Sequence, residues 1–211
     1  HKIGFGTPVI SQESSRIGLF NLNEKSLTQT IESKSELVDE NIIEQTILIE
    51  PFDTRLTIEI PLDLQNGEYI TLGENEQEDS DGAAMIYNEE NESIGILSSP
   101  VLENEENLKV ASVVKTDKDT LKYTLESDGL SEPTTMQVTL AATSYSTYFS
   151  SGTWITRDGK ISLSLTHKPY LLSGTTNDKM FKRSDSWNKV VANHKGSSHW
   201  KNQNSLYNQY A

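Results

Sequence analysis

Residues 54–62, TRLTIEIPL, alternate apolar and polar side chains and decide the class of fold. The four aliphatic residues from Leu56 to Leu62 recur at every second position, with polar residues or Pro61 between them. Because successive side chains of a β-strand point to opposite faces, this segment predicts a strand with one buried face. Pro61 lacks a backbone N–H, which places the strand near a sheet edge or Pro61 near the strand's end.

Similar segments follow at short, regular spacing. They are separated by polar links of hairpin length, with no long amphipathic helix between them, and they cover residues 67–73, 82–100, 108–129 and 135–145. A series of short strands joined in this way is typical of an antiparallel sandwich or a curled meander. We therefore predict a mainly β amino-terminal domain with one of these two architectures.

Residues 151–169, SGTWITRDGKISLSLTHKP, predict a β-hairpin. The Asp-Gly pair at 158–159 favours the positive φ angles of a two-residue turn. That turn places Arg157 opposite Lys160, and it places Trp154 on the apolar face of the hairpin. Two cations side by side at the tip repel each other, so we expect another molecule or surface to receive them.

The apolar period changes to that of a helix after Pro169. Ser184 is a suitable N-cap for a helix that ends before Gly196, and a second short helix is expected to start near Asn202 or Asn204 and to run through Ala211. A hairpin followed by two short helices predicts a small α+β unit. Few units of this size fold alone without a staple or a neighbour, and the chain has no cysteine for a disulfide.

Three parts of the chain can be distinguished on these grounds. Residues 1–40 have scattered apolar residues without a sustained period, so we expect a tail or a loosely docked helix there. Residues 41–142 form the predicted acidic β-rich domain. Residues 143–211 form the predicted basic α+β domain, which we expect to lean on the β-rich domain.

The charge of the chain changes sign along its length. Residues 1–140 hold 28 acids and 9 bases, whereas residues 141–211 hold 3 acids and 9 bases, giving −19 and +6 within a total of −13. All three tryptophans lie in the second part. Opposite charges attract over a Debye length of about 8–10 Å at physiological salt, so the acidic part can hold or mask the basic part. Two domains that merely differ in pI are the plain alternative.

Two stretches resemble secreted bacterial proteins. Residues 82–126 resemble a segment that recurs in exported Gram-positive precursors. The carboxy-terminal part resembles a bacterial domain of unknown function from small secreted actinobacterial and Firmicutes proteins, which also ends the precursors of closticin-type bacteriocins. The Cys-His pair that continues that pattern lies outside this sequence. The residues that carry the second resemblance are Trp154, Arg157, Ser162, Leu163, Ser164, Leu165, Ser186, Trp187, His199, Trp200, Gln209 and Tyr210.

This resemblance implies secretion and, in one branch, a cationic toxin released from a larger precursor; it implies no enzyme. The usage of Asn, Ser, Thr, Glu and Lys is also typical of exported Gram-positive proteins. The chain begins at His1 and has no apolar run long enough to cross a bilayer. We therefore expect a processed or truncated, soluble, extracellular protein without a transmembrane segment.

These features predict a bacteriocin-like protein whose cationic domain acts on or binds anionic bacterial envelopes, held or masked by the acidic domain. Each Lys or Arg near an anionic membrane surface contributes about 1 kcal/mol, and tryptophans favour the interface. The candidate contacts are Trp154, Arg157, Lys160, Lys182, Arg183, Trp187, His199, Trp200 and Lys201. Small polar residues over 141–151 suit a protease, so Ala141, Ala142 and Thr143 are candidate processing residues; another strand is the alternative there.

Two other classes of function remain open. A wall-binding or adhesion module would stack its tryptophans on glycan instead of packing them in a core. A wall-acting enzyme would need a base and a nucleophile or a metal, and His167, His194 and His199 are the histidines placed for such a role. The spacing of His194 and His199 is not that of a zinc pair on one helix, and the acidic loops lack the register of a calcium site. We therefore expect no catalytic residue, no metal and no cofactor, and the overall acidity argues against nucleic acid.

Overall fold

Two antiparallel β-sheets, a β-hairpin and two helices make up the computed structural model, which describes residues 3–12, 28–30, 32–72 and 81–210. The strands are β1 (Gly4–Phe5), β2 (Val9–Gln12), β3 (Thr28–Thr30), β4 (Ser33–Asp39), β5 (Ile42–Ile49), β6 (Arg55–Asp63), β7 (Tyr69–Thr71), β8 (Ala84–Tyr87), β9 (Ser93–Leu97), β10 (Val101–Leu102), β11 (Leu108–Asp117), β12 (Thr120–Ser127), β13 (Thr134–Ala142), β14 (Phe149–Arg157) and β15 (Lys160–His167). The helices are the single turn α1 (Tyr145–Tyr148), a 3-10 helix over Pro169–Leu172, α2 (Thr176–His194) and α3 (Gln203–Tyr210). The predicted fold class is therefore confirmed.

Paired strands run antiparallel throughout both sheets. Within the described residues, the first sheet has six strands in the order β11-β12-β6-β2-β3, with β1 also paired to β6. The second has seven strands in the order β4-β5-β13-β9-β8-β7, with β10 also paired to β13. The hairpin β14-β15 forms a separate two-stranded sheet.

The core lies between the two larger sheets, as the alternation of residues 54–62 predicts. Strand β6 buries Leu56, Ile58, Ile60 and Leu62 in one cluster with aliphatic residues of β5 and β13 from the other sheet. It lies between β12 and β2 in the interior of its sheet, and Pro61 is the third residue from its end. The polar faces of these strands are left for solvent, which makes the unit a sandwich.

The described parts of residues 1–40 are strands, which differs from the predicted tail or loosely docked helix. Strand β2 pairs with β6, and β4 pairs with β5, so this part of the chain joins both sheets. Six of the seven residues of β4 are exposed, so no apolar alternation marks it in the sequence. Backbone hydrogen bonds to β5 hold β4 in place. Residues 1–2, 13–27 and 31 lie outside the described residues.

The hairpin has the predicted register. Arg157 lies opposite Lys160, and the two turn residues at 158–159 have φ angles of 49° and 74°. These positive values are what a two-residue turn of this kind requires. Leu165 packs into a second hydrophobic cluster, whereas Ile161 beside the tip is 50% exposed. The apolar stripe is therefore buried at its base and open at its tip.

The N-cap of helix α2 lies nine residues before the predicted N-cap, Ser184. The cap is Thr175, whose Oγ1 accepts a hydrogen bond from the backbone N–H of Asp178 at 3.2 Å. The Asp178 carboxylate accepts one from the backbone N–H of Thr175 at 2.9 Å, which completes a capping box. Ser184 is thus a mid-helix residue. The end of the helix at His194, before Gly196, agrees with the prediction.

The hairpin and helices pack on the seven-stranded sheet of the sandwich through an apolar cluster. Met85 and Ile96 from that sheet meet Tyr148, Phe149 and Val190, and each of the five is at most 4% exposed. Burial of such side chains is worth roughly 1.5–3 kcal/mol each. The carboxy-terminal unit therefore shares its core with the outer face of the sandwich.

Two buried carboxylates of α2 form the polar part of this seam. Asp178 accepts a hydrogen bond from the backbone N–H of Ser99 at 2.8 Å. Asp185, which is 0% exposed, accepts from the Ser93 hydroxyl and from the Tyr148 hydroxyl, the latter at 2.6 Å. Buried carboxylates are stable only when such donors surround them, so the seam fixes how α2 is rotated against the sandwich.

Substituting Asp185→Asn should destabilise the protein by about 3 kcal/mol. The amide turns a donor toward the hydroxyls of Ser93 and Tyr148 and the ammonium of Lys189, which lies 3.5 Å from the carboxylate, and these groups need an acceptor. Urea unfolding monitored by tryptophan fluorescence measures this loss. Asp158→Asn at the exposed hairpin tip is the matched control and should change stability by less than about 0.5 kcal/mol. Equal unfolding midpoints for Asp185→Asn and the unmodified protein would contradict the seam described above.

Candidate functional site

Helix α2 carries two faces of different chemistry. Asp178 and Asp185 lie on the face toward the sandwich, and Lys189 joins them by donating to the Ser93 carbonyl at 2.6 Å. Lys179 and Arg183 are four residues apart on another face, where both are exposed. Residues at this spacing lie one above the other on a helix. The helix is thus anchored through its acids, and two of its cations point outward.

The outward surface of the carboxy-terminal unit is cationic as a result. Two of its three acids, Asp178 and Asp185, are 2% and 0% exposed, which leaves Asp158 as the exposed acid of residues 141–210. Six cations are exposed over the same residues: Arg157, Lys160, Lys179, Arg183, Lys195 and Lys201. The structure therefore separates the charges of this unit, with acids inside and cations outside.

A pocket of about 550 Å³ opens between the hairpin, the 3-10 helix, α2 and α3. Fourteen residues line it, and none is an acid. Its aliphatic and aromatic lining consists of Phe149, Leu163, Leu165, Leu171, Leu172, Trp187, Val190, Trp200, Leu206 and Tyr210. Its polar lining consists of His167, Lys179, Arg183 and Gln209. This combination of an apolar interior with a few polar groups is typical of a ligand site.

A second pocket, of about 600 Å³, lies on the sandwich and differs in chemistry. Its lining is mostly polar and carries charges of both signs, including Glu105, Glu106 and Asp128. Glu126, which also lines it, pairs with Arg55 at 2.8 Å and with Lys109 at 2.9 Å. None of the residues proposed from the sequence lies there, so we take the apolar pocket as the candidate site.

The three tryptophans proposed from the sequence come together in one aromatic cluster. Trp187 and Trp200 have ring centroids 5.9 Å apart, and Trp154 lies 6.5 Å from Trp200. Tyr210 packs against Trp187 at 5.3 Å. Each tryptophan is only partly buried, so the cluster packs the unit and also presents aromatic edges to solvent. Trp187 and Trp200 belong to the pocket lining as well.

The prediction that Lys182 contacts an outside surface is wrong. This residue is 1% exposed, and its ammonium donates to the Ser173 carbonyl and hydroxyl oxygens, both at 3.0 Å. It also lies 4.1 Å from the ring centroid of Tyr170. Burial lowers the pKa of Lys182. The residue holds the start of α2 to the preceding turn and cannot reach a ligand in the solvent.

Some of the other proposed residues line the pocket, and the rest are exposed elsewhere on the unit. Arg183 lines the pocket together with the two tryptophans named above. Arg157 and Lys160 are exposed at the hairpin tip. His199 is exposed and packs on Trp154 at 5.7 Å, and Lys201 is exposed next to the cluster in sequence. Lys179, which the sequence analysis did not select, is the second cation of the pocket.

The structure does not provide an open linker at the predicted processing region. Ala141 is 0% exposed and lies in β13, which pairs with both β5 and β9. The backbone N–H of Ala142 donates to Asn41 at 2.9 Å, and that of Thr143 donates to Ile94 at 2.9 Å. A protease needs an exposed and detachable segment, so cleavage here would require a central strand to leave its sheet. The alternative of another strand is correct for Ala141 and Ala142.

His194 is a packed side chain in this arrangement. Its Nε2 lies 2.9 Å from the hydroxyl of Tyr145, and its ring meets Trp154 edge-on at 6.5 Å. Gly152 packs so closely that an added Cβ would collide with the Tyr145 hydroxyl. Burial lowers the pKa of His194. The residue joins the end of α2 to α1 and the hairpin, whereas His167 and His199 are exposed.

The described residues hold neither a candidate metal site nor a helix that could span a bilayer. Within the described ranges, no group of three metal-ligating side chains lies close enough to hold an ion. None of the helices in that part of the chain has the length and apolarity needed to span a bilayer. Protein-family models, curated protein sequences and solved structures show no match to this chain, so its resemblance to secreted bacterial domains stays a prediction.

Acidification from pH 7.5 to 5.5 should lower the melting temperature through His194. Because burial lowers the pKa of the folded imidazole, the unfolded chain binds this proton more readily, and stability falls as the pH drops through the usual histidine range near about 6.5. Melting curves of the protein and of His194→Gln measure the effect, and the variant should show a shallower pH slope. His199→Gln is the control and should keep the original slope. An unchanged slope in His194→Gln would refute this assignment.

Proposed function

We propose that the carboxy-terminal unit, residues 143–210, is a non-catalytic module that binds the anionic surface of bacterial envelopes in a secreted protein. The observation that supports this most directly is the sorting of charge. The unit exposes six cations and carries a cluster of partly exposed aromatic side chains, while two of its three acids are buried.

The sorting matters because membrane attraction depends on charges that reach the surface. Each Lys or Arg near an anionic leaflet contributes about 1 kcal/mol, and this attraction falls off within a Debye length. Aromatic side chains with apolar bodies and polar tips favour the boundary between water and lipid. Trp187, Trp200 and Tyr207 supply such side chains beside the cations.

The acidic sandwich has the role of a holder in this proposal. The unit is attached to the sandwich through Asp178, Asp185 and apolar side chains, so Lys179 and Arg183 remain outward. An acidic sandwich is repelled by an anionic surface, which favours an orientation with the cationic unit toward that surface. Since the backbone of residues 141–143 is hydrogen-bonded within the sandwich, the proposal involves no release by cleavage there.

Glycan binding is the second candidate, because Trp187 and Trp200 line a pocket and sugars stack on aromatic faces. Ten of the fourteen lining residues are aliphatic or aromatic, however, and a sugar needs hydrogen-bonding partners for its hydroxyl groups. Envelope binding therefore accounts for more of the exposed cations and aromatic side chains of the unit. A pull-down with purified peptidoglycan that succeeds equally in 0.05 M and 0.5 M salt would favour the glycan candidate.

In a sedimentation assay the full chain should bind vesicles with a high fraction of phosphatidylglycerol and not vesicles of phosphatidylcholine alone. Lys160→Glu should weaken this binding by roughly tenfold or more, because it removes one attractive charge and adds a repulsive one. Raising the salt from 0.05 M to 0.5 M should release the protein.

Lys118→Glu is the matched control for that experiment. Lys118 is also an exposed lysine in a hairpin connection, between β11 and β12 of the sandwich, and its reversal changes the net charge equally. Vesicle binding by this variant should match that of the unmodified protein. Equal losses for the two lysine variants, or equal binding to both kinds of vesicle, would contradict the proposal.

A further inference from the structure

We infer that the apolar pocket of this unit binds one anionic amphiphile, with an acyl chain inside and a carboxylate or phosphate head on Lys179 and Arg183. The inference rests on the proposed function, because it names the ligand class of the same unit. It goes further by assigning a stoichiometric site for a single molecule, where surface attraction alone requires none.

The interior of the pocket suits a hydrocarbon chain. Leu163 and Leu165 from β15, Phe149 from β14 and Val190 from α2 supply a lining of aliphatic and aromatic carbon. A volume of about 550 Å³ lies within the range of about 300–1,000 Å³ that small-molecule sites span. A protein partner would instead need an interface of roughly 800 Å² on each side. The pocket is therefore sized for a small ligand.

The polar side of the pocket suits an anion. Lys179 and Arg183 lie one helical turn apart, and no acidic residue lines the pocket with them. Neither forms an ion pair with a carboxylate among the described residues. An arginine guanidinium binds carboxylate and phosphate oxygens through two parallel hydrogen bonds. His167 and Gln209 add polar groups to the same lining.

Both features together favour an anionic chain over simpler ligands. A neutral chain would gain nothing from the two cations, and a small anion such as acetate would leave the apolar lining exposed to water. A sugar would place hydroxyl groups against Leu163, Leu165 and Val190, which offer no hydrogen bonds. A chain with one anionic head satisfies both parts of the pocket.

Isothermal titration of the full chain with decanoate, below its aggregation concentration and without vesicles, tests the inference. We expect saturable binding of one decanoate per chain, together with a change in tryptophan fluorescence from Trp187 and Trp200. Acetate and decyl maltoside should bind at least tenfold more weakly. Lys179→Gln combined with Arg183→Gln should weaken decanoate binding at least tenfold.

Two exposed apolar residues provide a matched pair of variants that should both fold. Leu172 lines the pocket and is 59% exposed, whereas Leu37 of β4 in the sandwich is 67% exposed and is not among the lining residues. Leu172→Glu should weaken decanoate binding at least tenfold by placing a negative charge at the pocket. Leu37→Glu makes the same change outside the unit and should leave binding unaltered.

Three results would overturn the inference: absence of saturable decanoate binding, equal binding of decyl maltoside, or equal losses in Leu172→Glu and Leu37→Glu. Vesicle binding separates these failures from failure of the proposed function. Binding to anionic vesicles without binding of decanoate would leave the proposed function standing and remove the site for a single amphiphile. Binding of decanoate without vesicle binding would support the site and remove the envelope function.

Discussion

The rest of the carboxy-terminal unit depends on how the buried carboxylates of α2 are held. Asp185 has no exposed surface and lies among the hydroxyls of Ser93 and Tyr148 and the ammonium of Lys189, 3.5 Å away. A charge in such a place is tolerated only when donors surround it. The seam therefore admits one rotation of the helix, and any other rotation would leave carboxylates buried without partners.

That rotation determines which groups face outward. Lys179 and Arg183 come to the pocket side, while Val190 completes the apolar cluster that the unit shares with Met85 and Ile96 of the sandwich. The charge count favours attraction between the acidic amino-terminal part and the basic carboxy-terminal part. The seam instead joins buried acids of α2 to hydrogen-bond donors. Six of the nine cations of the unit remain exposed, while two of its three acids are buried and form the attachment.

The sequence predicted the features that depend on local pattern. Alternation over residues 54–62 gave the central strand, and the turn at 158–159 gave the hairpin register. The strands before residue 40 were missed because short polar strands such as β4 are held by backbone pairing, which leaves no apolar period. The start of α2 has its own local signal, the Thr-x-x-Asp pattern at 175–178, whereas the predicted N-cap Ser184 lies inside the helix.

The site was predictable in part. Tryptophans and exposed cations were found by residue type, and three of the proposed residues, Arg183, Trp187 and Trp200, line one pocket. Burial of Lys182 and of Ala141 could not be predicted in this way, because Lys182 packs on the preceding turn at Tyr170 and Ser173, and Ala141 is covered by pairing with other strands. A count of charges assigns every lysine the same weight, whereas the fold places one inside and others at the surface.

Amine-reactive labelling of the native chain, followed by mass spectrometry, tests the attachment through acids most directly. The account predicts rapid labelling of Lys179, Lys195 and Lys201, and slow labelling of Lys182 and Lys189 until the protein is unfolded. Slow native labelling of Lys179, Lys195 and Lys201 that becomes rapid on unfolding would place the cations against the sandwich and contradict the account.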